Sequence, residues 1–187
     1  MKRINNLYPR IYAEENIAIA DNKARKCKRT RYGVRKHDEN KELDNFLLHM
    51  SLRDEDYHTS AYTTYKIYEP KERIIFRLPY YPDRITHHAI MNIMEPIWTK
   101  VFTKDTYSCI KDRGIHTLVK QLQHDLRKDP EGTVYCAKMD IKKFYPSITH
   151  SILKDIVRRK IKDKSLLKLL DEIIDSAEGV PIGNYLS

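Results

Sequence analysis

Long apolar runs are missing from this chain of 187 residues. No stretch approaches the ~18 consecutive apolar residues of a membrane-spanning helix, and mean hydropathy is −0.66. That pattern excludes a helical membrane protein. Met1-Lys2-Arg3-Ile4-Asn5-Asn6 has no apolar stretch behind its charges, so no secretory signal is read there. Cysteine is scarce as well. Cys27, Cys109 and Cys136 are odd in number and lie at no metal-ligand spacing, which argues against a disulfide framework or a zinc cluster. A reducing, cytoplasmic setting is expected. Five Gly and eight Pro exclude collagen-like and low-complexity disordered chains. Counted with Gly and without Tyr, apolar residues make up about 37%, below the usual ~45–50%. The core is therefore thin, either because much surface meets a polar partner or because part of the core is supplied from outside these residues.

Positive charge is what the chain has in excess. The formal net charge is +9, from 35 Lys and Arg against 26 Asp and Glu. Residues 1–36 hold eleven of those bases and three acids, so nearly all the net charge lies there. Between Lys23 and Lys36 there are eight bases, Tyr32 and no acid. Bases release counterions from phosphates, and an aromatic ring can stack on a nucleobase. Lys23, Arg25, Lys26, Lys28, Arg29 and Arg31 are therefore candidate nucleic-acid contacts. A solvated basic tail has the same composition.

The periodicities predict a mixed α+β chain. Glu14 to Cys27 reads as a helix, with Ile17, Ala20, Ala24 and Cys27 at helical steps, acids first and bases last. Asn40 to Leu52 reads as a second, with Leu43, Phe46, Leu47 and Met50 on its inner face. Tyr62 to Leu78 reads as two strands divided near Pro70. Pro82 suits a first helical position, ahead of a helix with Ile85, Ala89 and Ile93 on one face and Pro96 ending or kinking it. Gly114 precedes an amphipathic helix carrying Ile115, Leu118, Val119, Leu122 and Leu126. Asp129-Pro130-Glu131-Gly132 is a turn, and Thr133 to Asp140 reads as a short apolar strand. Thr149 can cap a helix through Ile152, Ile156 and Ile161; a last helix covers Leu166 to Ile174, and Gly179 to Ser187 is a loop.

The sharpest segment for chemistry is Ala137-Lys138-Met139-Asp140-Ile141-Lys142-Lys143-Phe144-Tyr145-Pro146-Ser147-Ile148. An apolar run delivers one carboxylate at its end, followed by an aromatic pair and a Pro-Ser turn. A hard cation such as Mg²⁺ wants carboxylate oxygen and commonly a backbone carbonyl, and Asp140 and Ile141 offer one of each. An isolated Asp at such a place is more commonly a turn residue or a helix cap.

In context the segment resembles the first carboxylate motif of reverse transcriptases. Other blocks of that family occur in order. Arg73-Ile74-Ile75-Phe76-Arg77-Leu78-Pro79 with Asp83-Arg84, His87-His88-Ala89 and Met94-Glu95-Pro96-Ile97 is similar to the fingers segment. Asp105 to His116 is similar to the block that follows, and Gly179-Val180-Pro181-Ile182-Gly183-Asn184-Tyr185-Leu186-Ser187 to the nucleotide-facing loop. Tyr8-Pro9-Arg10-Ile11-Tyr12 resembles the N-terminal extension. The resemblance implies a right-hand polymerase: a basic helical extension over 1–60, fingers over 61–132, and a partial palm over 133–187 that stops before the second carboxylate motif, with the thumb absent.

The resemblance also implies roles. Asp140, assisted by the Ile141 carbonyl, would hold catalytic Mg²⁺. Tyr145 would lie under the sugar and exclude a ribose 2′-OH, with Phe144 as the buried member of the aromatic pair. Arg73 and Lys71 would grip the triphosphate of a dNTP, with Arg77 in that role if the register shifts. Ile182 and Gly183 would face the incoming nucleotide. His87, His88 and His116 are read as packing or RNA-backbone residues. RNA template, DNA or RNA primer and dNTP are the implied partners, with a small basic accessory protein. Most reverse transcriptases have Gln where this chain has Ile182. The form Ile-Gly-Asn-Tyr-Leu-Ser is similar to diversity-generating retroelements, whose enzymes copy RNA with frequent errors opposite adenine. The Tyr/Phe-x-Asp-Asp motif is absent from the sequence, which implies that the chain alone is inactive. A retron-type or group II intron-like reverse transcriptase or maturase, and a non-catalytic RNA-binding remnant, are the alternative readings.

Overall fold

The computed structural model describes residues 3–68 and 71–186. Pro70, expected between the two strands, and Ser187, expected to end the last loop, lie outside the described residues. The structure mixes helices with one small sheet. Its elements in order are α1 (Tyr8–Tyr12), α2 (Glu14–Ala24), α3 (Tyr32–Asp38), α4 (Lys41–Arg53), β1 (Thr63–Tyr68), β2 (Glu72–Arg77), α5 (Ile85–Thr99), α6 (Ile115–Lys128), α7 (His150–Lys160) and α8 (Lys164–Asp175). The chain divides into two compact units, Met1–Met94 with Lys143–Ser187 and Glu95–Lys142. These boundaries fall elsewhere than the 60/61 and 132/133 divisions expected from sequence.

The core of the larger unit is helical. α1, α2 and α3 pack on α4, and α7 packs on α8. Ile11, Ile17, Ala20, Val34, Leu48, Leu52, Ile85 and Ile90 are fully buried or nearly so. α2 stops at Ala24, three residues earlier than expected, because the chain turns back and places Cys27 at φ 58°. The helix α3 inside the basic segment was not foreseen; Val34 and His37 pin it to the core. The segment is therefore folded, and the tail reading does not hold. α4 also turns a different face inward. Leu48 and Leu52 are buried, while Leu43 is 56% exposed and Phe46 and Leu47 about half exposed. The helix carries two apolar stripes, and the 48/52 stripe is the one met by α1 and α2.

The hairpin matches its sequence signal, with antiparallel register from Thr63 opposite Arg77 to Tyr68 opposite Glu72. Pro82 lies within a wide helical turn, Tyr80–Arg84, one turn before α5 rather than inside it, and Pro96 is accommodated within α5. In the smaller unit, Gly114 is the N-cap of α6 as expected. Asp129 Oδ1 accepts from Gly132 N at 2.8 Å and fixes the following turn. No strand forms over 133–140: Thr133 and Val134 close the preceding turn, and 135–140 have no regular structure. An apolar run becomes a strand only when a neighbour takes its backbone groups, and among the described residues the one sheet is β1–β2.

Asp163 joins the two ends of the larger unit. Ile4 and Ile161 form a parallel bridge, with Ile4 N donating to Lys160 O at 2.8 Å and Lys162 N to Ile4 O at 2.9 Å. The buried Asp163 carboxylate then takes Leu7 N at 2.7 Å and Tyr8 N at 3.0 Å on one oxygen, and Leu166 N at 3.2 Å on the other. One side chain thus meets the free amides at the starts of both α1 and α8. α8 buries Leu166, Leu169, Leu170 and Ile173, a single apolar stripe. Asp163→Ala is expected to cost about 3–5 kcal/mol, because it removes a charged acceptor and strands buried amides. Urea denaturation checks this; a loss under about 1 kcal/mol would mean that water replaces the carboxylate at no great cost.

Candidate functional site

β2 has one edge paired with β1, and its other edge receives the loop after α8. Phe76 N donates to Ile182 O at 2.8 Å. The same loop is held from the opposite end, where Val180 N donates to Tyr145 O at 3.0 Å and the His150 Nε2–H donates to Gly179 O at 2.8 Å. Two glycines make these approaches possible. Gly179 lies at φ +63°, and a Cβ there would be 2.7 Å from Tyr145 O. Gly183 lies at φ +116°, and a Cβ there would be 2.5 Å from Phe76 O. Asn184 Nδ2 donates to Tyr62 OH at 2.8 Å, and the Tyr62 ring stands edge-on to Phe76 at 5.6 Å.

The structure thus brings Tyr145, Ile182 and Gly183 together with the strand that carries Arg73. Arg73, Arg77 and Lys71 are all solvent-exposed. Asp140 and Ile141 belong to the smaller unit, at the end of the irregular segment, and both are exposed. The aromatic pair departs from expectation: Phe144 is 48% exposed and Tyr145 36%, with their rings edge-to-face at 5.3 Å. Phe144 is not the buried member. The short turn Tyr145–Ser147 leaves both rings at the surface.

The basic segment is organised around Asp21, which is fully buried. Arg25 Nη2 donates to both Asp21 oxygens at 2.8 Å, Tyr80 OH donates to Oδ1 at 2.5 Å, and Lys41 Nζ lies 3.1 Å from Oδ2. Burial alone would raise the Asp21 carboxyl, but hydrogen bonds from Tyr80, Arg25 and Lys41 outweigh it and hold the group below the usual carboxylate range. Arg25 also meets Asp38 at 2.6 Å and is itself buried. It was expected among the phosphate-facing bases, and the structure turns it inward instead. Lys23 donates to Asn92 Oδ1 at 2.6 Å but remains exposed. Lys26, Arg29 and Arg31 are exposed, and Lys28 is half-buried.

Between this segment, the hairpin, the Tyr80–Arg84 turn and the 183–185 loop lies a cleft of about 950 Å³, built wholly within the larger unit. Lys28, Arg31, Lys36, Arg77 and Arg84 supply its positive charge, and Tyr32, Tyr65, Tyr81 and Tyr185 its rings. Bases interleaved with aromatic faces suit a single-stranded nucleic acid. Arg84 and His87 line this cleft as well, and their place there was not legible in the sequence. They stand in a block read for its resemblance, and only the tertiary fold turns them toward the basic segment.

No protein-family model matches the chain. It is similar to Protein YkfC of Escherichia coli (strain K12), 28% identical over 153 residues that span 73% of the chain and 40% of that protein. It is also similar to the group II intron-encoded protein LtrA of Lactococcus lactis, 24% identical over 121 residues, 59% of the chain and 20% of that protein. Nuclear intron maturase 1, mitochondrial, of Arabidopsis thaliana is 20% identical over 93 residues, 50% of the chain and 12% of that protein. The similarities to the intron-encoded protein and the maturase support a reverse-transcriptase-like family. The chain spans less than half the length of each of these relatives.

For such a family the metal question falls on Asp140. Among the described residues no group of three or more His, Cys, Asp or Glu side chains is placed to hold a metal ion. Two-metal phosphoryl transfer takes carboxylates that bridge both ions, and a lone exposed Asp140 with the Ile141 carbonyl does not fit that requirement. No helix among the described residues is long and apolar enough to cross a membrane.

The seating of the loop on β2 is testable through Gly183. Gly183→Ala would force a side chain into a left-handed backbone and into the Phe76 carbonyl. Hydrogen exchange at Phe76 N–H is expected to speed up about tenfold, the equivalent of ~1.4 kcal/mol. Unchanged exchange at Phe76 would show that this close approach does not hold the loop.

Proposed function

We propose that the chain is the nucleic-acid-binding part of an RNA-directed DNA polymerase, carrying the fingers and the first carboxylate motif. The carrying observation is the ordered set of blocks from Arg73 to Ser187, in a chain similar to intron-encoded and maturase proteins. In this reading RNA template and primer run along the basic, aromatic-lined surface. Arg73 and Lys71 hold the triphosphate of a dNTP, since guanidinium pairs with phosphate oxygens bidentately. Tyr145 excludes the 2′-OH, and Ile182 and Gly183 pack beside the nucleotide. Asp140 would contribute one carboxylate for Mg²⁺ only alongside others that the described residues do not bring to it. The contact between Ile182 and β2 supports the reading, because it puts the loop beside the strand bearing Arg73.

The lineage has two readings. Ile182-Gly183-Asn184-Tyr185-Leu186-Ser187 supports a diversity-generating retroelement, in which Ile can only pack where Gln would hydrogen-bond. Similarity to the group II intron-encoded LtrA and to the Arabidopsis intron maturase favours a group II intron-type enzyme. A small basic accessory protein belongs to the first reading.

RNA binding tests the part of the proposal that this chain can carry alone. If four outward bases meet phosphates, log K is expected to fall with log salt at a slope near −3, from ~0.7 per contact on a single strand. Fluorescence anisotropy with labelled single-stranded RNA measures it. Replacing Lys26, Arg29, Arg31 and Arg35 with Ser is expected to flatten the slope, and an unchanged slope would remove RNA from this segment. The polymerase part is read by primer extension on RNA with Mg²⁺. The 187-residue chain is expected to add no dNTP, having one carboxylate motif. In a polypeptide where these residues run on into a Tyr/Phe-x-Asp-Asp motif, Asp140→Ala is expected to cut extension at least a hundredfold, about 2.7 kcal/mol. Near-normal extension by that variant would remove Asp140 from the chemistry.

A further inference from the structure

The start of α5 holds three buried nitrogens that nothing pairs. Arg84 Nε, His87 Nε2 and His88 Nδ1 are buried and have no hydrogen-bond partner. His87 is only 2% exposed and His88 7%. Buried polar nitrogens are nearly always paired, so three orphans within five residues call for an explanation. The surrounding charges are mostly of one sign. Lys28 is pushed down by burial and then by Arg84 and Arg31; Arg84 is pushed down by burial and by Arg77. His88 is pushed down to about 4 by burial and by Arg84, Lys28, His87 and Lys23. Among the described residues, neither Lys28, Arg31 nor Arg84 has a carboxylate partner.

The nearby acids do not pair these nitrogens. Asp83, on the same turn, acts on His87; its Oδ1 takes Tyr57 OH at 2.8 Å and Ser60 N at 3.0 Å, and its buried Oδ2 is itself without a hydrogen-bond partner, so it pairs with none of the three nitrogens. Asp44, on the cleft wall, is taken by His37 Nδ1 at 2.8 Å, which leaves Glu39 as the other carboxylate lining the cleft. The Tyr185 ring stacks on His88 at 3.7 Å and covers it. Desolvated like charges with unmet donors lower their free energy most by taking an anion with several acceptor oxygens.

We propose that Lys28, Arg84 and His87, with His88 adjoining beneath Tyr185, form a phosphate seat in this cleft. A tetrahedral phosphate offers separate oxygens to the guanidinium, the ammonium and an imidazole N–H at once. The cleft is far larger than one phosphate and is lined by Tyr32, Tyr65 and Tyr81, so the phosphate is carried on a larger body with flat rings. The seat itself is argued from charge and unmet donors. It rests on the RNA reading only for what the phosphate is attached to.

The experiment uses the whole chain and three probes: inorganic phosphate, tripolyphosphate and a short single-stranded RNA. Calorimetry gives affinities, and ¹⁵N NMR follows the imidazole resonances of His87 and His88. The expected result is that phosphate shifts both histidines and that Arg84→Gln and Lys28→Ser each weaken phosphate binding about tenfold. Lys168→Ser, outside the cleft, is expected to change nothing. Tighter binding of tripolyphosphate than of RNA would support the seat with a free polyphosphate as its ligand. The reverse would support it with a backbone phosphate. If Arg84→Gln fails to fold by thermal melting, Lys28→Ser decides, because Lys28 is only half-buried. Unmoved histidine resonances, or unchanged affinity in the folded variants, would overturn the seat. Unchanged phosphate and tripolyphosphate affinity in those variants, with RNA binding and its salt slope intact, would overturn the seat and leave the RNA reading standing. Phosphate binding at the seat by a chain that binds no RNA would do the opposite.

Discussion

Asp21 has no contact with solvent, and a carboxylate in that position must be met by donors or give up its charge. It is met by the fork of Arg25, the hydroxyl of Tyr80 and the ammonium of Lys41. Those partners come from the residue that ends α2, from the turn before α5 and from the start of α4. One charge therefore fixes three elements, and the chain between α2 and α4 has to fold back over it. That return path is the turns over 25–31 and then α3, and their outward sides carry the remaining bases. The pairing separates a neutralised interior from an unneutralised exterior. Arg25 and Lys41 are used inside, while Lys26, Arg29, Arg31 and Arg35 face water. Removing one partner of such a buried charge costs more than the pair contributes net, so this region is a scaffold for positive charge more than a store of stability.

The second constraint is the free edge of β2. A strand edge presents unpaired N–H and C=O groups and must be covered or solvated. Here the loop after α8 covers it through Ile182 O, and two glycines let the loop lie between that edge and the Tyr145–Pro146 turn. Hairpin, loop and aromatic turn are therefore held together, although the hairpin and the loop lie about a hundred residues apart in sequence. The cleft beside them inherits its shape from this contact. Its wall is backbone held by backbone, which keeps Tyr185 stacked on His88.

What was legible in the sequence follows from how unambiguous each local signal is. α8 has a single apolar stripe and an Asp cap, and it forms where its pattern says. The hairpin is likewise explicit in its Tyr, Thr and Ile content. α4 was legible as a helix but not in its orientation, because Leu43, Phe46 and Leu47 compete with Leu48 and Leu52 for the inner face. α3 escaped notice because two inward residues, Val34 and His37, are too few to make a periodic pattern. Arg25 was read as an outward base because composition cannot tell inward charge from outward. The signal that could have placed it was Asp21, four residues earlier on the same helix face. Tyr145, Ile182 and Gly183 were found through family-like blocks, and the structure shows how they meet. Arg84, His87 and His88 lay in such a block too, but their use depends on Lys28, which arrives from a distant part of the chain.

The segment that carries Asp140 and Tyr145 divides along a physical line. A side chain becomes a fixed metal ligand when its backbone is held, and for an extended segment that means a ladder on at least one edge. From 134 to 141 no ladder forms among the described residues, and Met139 is 89% exposed. The neighbouring helix α6 likewise leaves Ile115, Leu118, Val119, Leu122 and Leu126 uncovered. The thin apolar content seen in the sequence thus corresponds to uncovered faces, and these are concentrated in the smaller unit. Tyr145, five residues beyond Asp140, is already held through its carbonyl by Val180. Tyr145, Ile182 and Gly183 are therefore held by contacts within the larger unit, whereas no hydrogen bond or ladder fixes Asp140 among the described residues. In the proposed reading, the residues for binding are fixed through Asp21 and the β2 edge, and the carboxylate for metal chemistry is not.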